Sequence, residues 1–362
     1  LNSIGKLFCV TSFGESHGPC VGAVVDGCPA GLALTLDDIQ QEVDRRKPGA
    51  GAAATARRER DKVEVLSGLR EGRTTGAPIT LLVRNEDIDD SDYEKIAARL
   101  RPGHADYTAL VKYGGFADGR GGGRFSGRIT ASFVMAGAVA RKILDTLGVA
   151  IAAHTVEIGG IAARAATFDD IKTKATRDPL RCADALASRK MGELIAGVRE
   201  AGDSVGGVIE GIAVGVPAGL GEPVFANLDG DLAKALLAIP AVKGVEFGAG
   251  FAAARMKGSE NNDPITIKNG KIITTTNNAG GILGGISSGM PVVVRVAVKP
   301  TASIAAEQAT VDVKKMEKAA IRVAGRHDAC IVPRAVPVVE AMMAVVLCDF
   351  ALRAGLVPRV MK

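Results

Sequence analysis

Apolar residues recur along this chain in short blocks separated by glycine, proline and polar turns. LFCV at 7–10 and CVGAVVD at 20–26 read as strands. The turn between them, GESHG at 14–18, sets His17 on an exposed hinge flanked by glycine. Thr35 or Asp37 caps a helix through DDIQQEVDRR, which Pro48-Gly49 closes with Arg45 and Arg46 in its last turn. Strands follow at 63–67 and 78–84. Ser91 and Glu94 form a capping box for a short helix that stops before Pro102. Ile129, Phe133, Val134, Ile143, Leu144 and Leu147 then keep a helical period. Further on come a strand at 149–158, a polar helical excursion over 160–200, and a strand at 205–216. Glycines in that last strand predict a bulge or a close backbone approach. A helix over 229–238 takes Asn227 or Asp229 as its cap, and a strand spans 292–298. A charged helix is expected at about 311–323, and a last helix runs from near Pro337 to near Gly355. Strands and helices come in runs rather than in strict alternation, which favours an α+β fold over a doubly wound parallel sheet.

Composition narrows this picture. The chain has 362 residues, ample for a large core, and its aromatic content of 4% without Trp makes that core aliphatic. Glycine, 45 of 362 residues, is about 12% against a usual figure of about 7%. It falls in clusters rather than in a period, as tight ligand loops do. The net charge of +5 is modest and demands no nucleic acid. Six scattered cysteines without a CxxC pair fit reduced thiols and a cytoplasmic setting. The uncharged run 272–294 is rich in Thr, Asn, Ser and Gly, which argues against a membrane span.

The stretch that organises the chain is 101–128, RPGHADYTALVKYGGFADGRGGGRFSGR. Its cations are Arg101, Lys112, Arg120, Arg124, Arg128 and, when protonated, His104, against Asp106 and Asp118 only. Eight glycines share it, and it leads into the helical run after 129. A glycine-rich loop feeding a helix N-terminus offers N–H donors and the positive end of the dipole to an anion. Interleaved arginines favour that reading over a basic surface loop. His17 in its turn is either a surface residue or a working imidazole; Arg45 and Arg46 are either dipole compensation or ligands. Three turns carry histidine (His17, His104 and His327), each beside arginine, glycine or acid, which suits proton transfer next to a phosphorylated substrate.

Three blocks, GESHGPCVGAVVDGCPAG, the 101–128 stretch and RHDACIVPRAVP at 326–337, resemble the motif blocks of the chorismate synthase family. GDSVGG, PAGLGEPVF, AVKGVEFG and AGGILGGISSG match it in order, so the resemblance spans 1–362 as one domain. It implies a β-α-β sandwich of two antiparallel sheets around helices, assembled as a homotetramer without nucleic-acid or membrane partners. It implies an anti 1,4-elimination of phosphate from 5-enolpyruvylshikimate 3-phosphate, giving chorismate. Reduced FMN is required although there is no net redox change, and NADPH is a candidate flavin reductant.

Carried over by motif, His17 would protonate the reduced flavin and His104 would donate a proton at the leaving phosphate. Asp328 would assist the flavin nitrogen that takes the ring proton. Flavin contacts would be Arg124, Phe125, Ser126, Pro240, Ala241, Gly284, Lys299, Pro300, Thr301, Ala302, Ser303 and Arg326. Arg46 falls in the family's nicotinamide or substrate phosphate site, with Arg57, Arg128 and Arg334 as further substrate cations; no metal is implied. Two positions depart from the pattern. Ala52, within GAGAAATAR, stands where the family has an anion-binding arginine, and Phe125 replaces a usual serine. A polyanion-binding protein is the rival class, but RGG-like segments sit in disordered tails with aromatic platforms, unlike this embedded loop. A nicotinamide oxidoreductase is the nearer enzymatic alternative.

Overall fold

The computed structural model describes residues 1–47, 60–86, 98–323 and 328–362. Its first sheet contains β1 (Ser3–Ile4), β2 (Cys9–Gly14), β3 (Cys20–Asp26), β4 (Val63–Ser67) and β5 (Ile79–Arg84). They pair antiparallel in the order β1-β2-β3-β5-β4. The second sheet contains β6 (Ala150–Ile158), β7 (Ile161–Ala162), β8 (Gly207–Val214), β9 (Val242–Phe247) and β10 (Val292–Val298). Its order is β9-β10-β8-β6-β7, again antiparallel.

Between the sheets lie α1 (Leu36–Arg46), α3 (Thr130–Asp145), α5 (Leu228–Leu237) and α6 (Val332–Arg353); α2 (Asp106–Tyr113) and α4 (Ala185–Glu200) lie outside this layer. α3 packs on β2, β3 and β5, and α6 packs on β6 and β8. The two helices meet each other where Gly137 has no side chain. A Cβ there would stand 2.4 Å from Ala341 Cβ and 2.6 Å from its Cα. The α+β sandwich expected from the chain is the observed architecture.

α6 is apolar all round because it is enclosed on all sides. It is long and apolar enough to cross a membrane, yet 89% of that run is buried inside the protein. Its two acids, Glu340 and Asp349, serve the fold. Asp349 Oδ1 accepts the backbone N–H groups of Lys6, Leu7 and Phe8 at 2.9, 2.7 and 2.9 Å. Those donors are therefore withdrawn from the sheet, and the strand expected at 7–10 begins at Cys9 instead. Buried Glu340 takes Arg45 and Arg141, each at 2.6 Å, and the Ala153 N–H at 2.8 Å. One carboxylate thus ties α1, α3, α6 and β6 together.

Thr35, not Asp37, caps α1, in a reciprocal capping box with Asp38. The bulge expected in the glycine-bearing strand lies between Val208 and Ile209. Gly211 supplies the close approach: a Cβ would meet Met343 Sδ at 2.6 Å.

Three expectations are corrected. Residues 311–323 form no helix; they belong to a hairpin, Gln308–Asp312 with Glu317–Ile321. Asp312 Oδ1 accepts the N–H groups of Lys314 and Lys315, which fixes a turn where charge patterning suggested a helix. α6 starts at Val332, five residues before Pro337. Pro337 forfeits one backbone bond, a cost of about 3 kcal/mol that burial of most of the helix outweighs. α2 arises inside the central loop, where no helix was expected. The Pro48-Gly49 stop, Ala52, Arg57 and the Ser91 capping box lie outside the described residues.

Candidate functional site

The 14–18 turn and the glycine loop are joined by hydrogen bonds. Ser16 N–H donates to Gly123 O at 3.2 Å. Asn85 Nδ2, just after β5, donates to Glu15 O at 3.0 Å and Gly18 O at 2.7 Å. This folds His17 inward, leaving it 6% exposed, so the exposed hinge expected for it is corrected. Its ring lies against Gly121, whose added Cβ would come within 2.2 Å of Cδ2 and Nε2. Gly122, the next residue, faces His104: a Cβ there would stand 3.2 Å from Nε2. Both glycines have positive φ, 56° and 84°, which other residues rarely adopt. Two imidazoles from distant turns are therefore set against consecutive residues of one loop.

His104 is held from behind. Its Nδ1 lies 2.5 Å from Asp106 Oδ1, and Arg101 Nη2 donates to the same oxygen at 2.7 Å. Arg101 Nη1 also reaches Ser303 Oγ at 3.5 Å, and Gly103 packs on Ala302. The segment 299–303, leaving β10, is thus a wall of the same site. Lys299 N–H donates to Ala241 O at 2.9 Å, and Ala241 is bent to a φ of 73°. Thr301 Oγ1 donates to Asp328 O at 3.0 Å. Burial, then the neighbouring Lys243 charge, pushes Lys299 below its usual range.

The other side is guanidinium-rich. Asp61, buried 3% exposed after α1, bridges two arginines: Arg46 Nη2 donates to Oδ2 at 2.7 Å and Arg128 Nη1 to Oδ1. Arg128 also donates through Nε to Asn85 Oδ1 at 2.8 Å and through Nη2 to Arg84 O at 3.0 Å. Arg334, in the first turn of α6, donates to Asp328 Oδ2 at 2.5 Å. Burial pushes Arg46 down to about 10; Asp61 opposes this, while the Arg334 and Arg128 charges add to it. Burial works against the Asp61 charge as well, but the two arginines hold its carboxyl below the usual range. Three guanidiniums share two carboxylates, an excess of positive charge suited to an oxyanion.

His17, His104, Asp328, Ala241, Lys299 to Ser303, Arg46, Arg128 and Arg334 are linked in this way, with Pro240 in the turn beside Ala241. The Arg124 guanidinium faces β2, donating to Gly14 O at 3.1 Å and Asn2 Oδ1 at 2.8 Å. Phe125 stacks tilted on Tyr113 at 6.5 Å, and Ser126 Oγ accepts the Arg128 N–H. Gly284 lies at the tip of the Ile282–Ser287 hairpin, with open space at its α-carbon. Arg57, Arg326 and His327 lie outside the described residues. Sequence reasoning assigned no role to Asp61 or Asn85, and counted Arg101 and Asp106 only among the charges of the 101–128 stretch. Asp106 had a signal, an acid two residues after a histidine that follows glycine; Asp61 has none, being one of several charges in the run ARRERDK.

Three polar atoms here are buried without a partner among the described residues: Ser16 Oγ, Arg46 Nε and Asp328 Oδ1. An acceptor, a donor and a hydroxyl left open beside a glycine cradle fit a ligand with both anionic and N–H groups, as a reduced flavin mononucleotide has.

The family model described as "Chorismate synthase" matches residues 8–352. The chain is 58% identical over 361 residues to the chorismate synthase of Dehalococcoides mccartyi strain BAV1, covering 100% of this chain and 99% of that one. It is 53% identical to the chorismate synthase of Korarchaeum cryptofilum, covering 97% of each. A solved structure titled "Crystal Structure of Chorismate Synthase" superposes with a TM-score of 0.76 at 34% identity, over 97% of this chain and 93% of the other. With its sandwich, its paired histidine turns and this match along almost its whole length, the chain belongs to the chorismate synthase family.

Proposed function

We propose that this chain, acting as one catalytic domain, eliminates phosphate from 5-enolpyruvylshikimate 3-phosphate by an anti 1,4 route, giving chorismate. It is a carbon–oxygen lyase of aromatic amino-acid biosynthesis. Reduced FMN is its cofactor, NADPH a candidate reductant of that flavin, and the cytoplasmic homotetramer its working form.

The observation that carries this reading is the Gly121-Gly122 cradle against two imidazoles, with Asn85 joining the turn of His17 to Arg128 of the buried arginine pair on Asp61. Arg46, Arg128 and Arg334 bind and orient the anionic substrate through forked donors. His104 carries the proton that reaches the departing phosphate. Arg46 Nε and Ser16 Oγ, buried and without a partner among the described residues, would serve the phosphate-bearing ligands, and Asp328 Oδ1 would accept a flavin ring N–H. His17, shielded from water, supplies a proton on the flavin side. The chemistry that reduced FMN supplies when bound is the transient loan of an electron, with no net redox change.

Under anaerobic conditions with dithionite-reduced FMN, the protein is expected to release phosphate from this substrate, and oxidised FMN is expected not to support turnover. Phosphate release at the same rate without any flavin would overturn the assignment.

A further inference from the structure

The two ring nitrogens of His104 are treated differently. Nδ1 lies 2.5 Å from Asp106 Oδ1, whereas Nε2 is turned to the glycine loop at Gly122. Asp106 is itself gripped by Arg101. Arg101 Nη2 donates to Oδ1 at 2.7 Å; its Nε and backbone N–H donate to Oδ2 at 2.8 and 2.9 Å. Burial disfavours the Asp106 charge, but the hydrogen bonds from Arg101 and His104 hold its carboxyl well below the usual range. Arg101 is buried too, at 7% exposure.

Arg101 Nη2 also lies 3.1 Å from His104 Nδ1. Nδ1 therefore either accepts from Arg101 or donates to Asp106. An ionised carboxylate only accepts, so a lone pair on Nδ1 would face Oδ1 acceptor to acceptor at 2.5 Å. A proton on Nδ1 removes that conflict, and Arg101 Nη2 remains satisfied by Oδ1. We infer that Asp106 is a positioning residue that fixes His104 as its Nδ1–H form and leaves Nε2 as the nitrogen serving the substrate. This rests on the lyase reading above. In the doubly protonated ring, Nε2–H passes its proton to an oxygen of the leaving phosphate. The electron pair of that N–H bond stays on Nε2, the ring becomes neutral with Nδ1–H kept, and solvent restores the proton. Asp106 stays ionised throughout and stabilises the imidazolium.

Selective ¹⁵N labelling of the four histidines reads the tautomer directly. The signal of His104 is assigned by its disappearance in His104→Gln. In the free protein, at a pH where the ring is neutral, Nδ1 is expected to carry the proton. Asp106→Asn offers an amide N–H to Nδ1 and is expected to reverse the ring to Nε2–H. Turnover should then fall by about 10²–10⁴ while KM stays within a few-fold. A wild-type ring protonated at Nε2, or an Asp106→Asn protein that keeps both tautomer and turnover, overturns the inference. The wild-type spectrum decides it even where the variant fails to fold. That spectrum needs neither substrate nor flavin, so it fails or holds independently of the proposed reaction.

Discussion

Gly121 and Gly122 do for this site what no side chain could: the His17 ring occupies the place of a Cβ at Gly121, and the His104 ring stands close against that of Gly122. Gly121→Ala would set a carbon 2.2 Å from His17 in a left-handed backbone, at a cost of about 1–2 kcal/mol before any clash. Gly122→Ala would press on His104 from 3.2 Å, a gap that a small shift relieves. Turnover is thus expected to fall further in Gly121→Ala than in Gly122→Ala, with the melting temperature lowered modestly in both. Full turnover in Gly121→Ala would show that the close contact of His17 with the glycine loop is not needed for catalysis. Asp61→Asn is expected to raise KM strongly, because Arg46 and Arg128 lose the charge that aligns them; stripping one partner from a buried ion pair costs about 3–5 kcal/mol. An unchanged KM would show that neither arginine binds substrate. The basic and imidazole half of the site was legible because arginine, glycine and histidine cluster in sequence. Of the acids, Asp328 came from its motif alone, and Asp61 was not legible, since it acts across 67 residues on Arg128 and no local pattern records that reach.

Elements were legible where one force dominated. The β2–β3 pair, α1, α3 and β10 follow apolar periodicity, and their burial agrees with it. The hairpin from Gln308 was misread because its alternation is weak and its charges mimic a helix face; the deciding bonds are local, Asp312 Oδ1 accepting the Lys314 and Lys315 N–H groups of its own turn. That hairpin has a consequence for the site. Val313 N–H donates to Ala98 O at 2.9 Å and Thr310 Oγ1 to Leu100 O, so it braces the segment that carries Arg101 and His104. The helix contact is the plainest test at this scale. Gly137→Ala places a methyl against the Ala341 backbone, and overpacking of this kind costs about 1–3 kcal/mol. The variant is expected to unfold at lower urea with KM unchanged, since α3 and α6 meet there away from the histidine loops. Unaltered stability would mean that the helices part freely.

At the scale of the whole molecule, the site collects where loops of both sheets meet the end of α1 and the beginnings of α3 and α6. Holding that junction together are charged groups buried in a largely aliphatic interior, and this gives the fold a pH window whose limits can be derived. Asp61 and Glu340 lose hydration on burial, yet their arginine partners hold both below the usual carboxylate range. Asp106 is held low in the same way by Arg101 and His104. A folded pKa below the unfolded one, about 4 for these groups, gives stability that is present above pH 4 and lost as pH falls further. Thiols bound the other side. All six cysteines are unpaired, and burial pushes Cys28 and Cys330 up to about 12. Their unfolded value is near 8.5, so stability is full below that and declines as pH rises toward 12, by up to ~1.4 kcal/mol per unit for each thiol. Arg46, pushed down to about 10, works the opposite way only above that pH. Urea midpoints measured under reducing conditions are therefore expected to be level from about pH 5 to 8.5, lower at pH 3.5, and lower again at pH 10 than at pH 8. A midpoint at pH 10 equal to that at pH 8 would show that the buried thiols are no part of the alkaline limit, and an unchanged midpoint at pH 3.5 would remove the same role from the carboxylates.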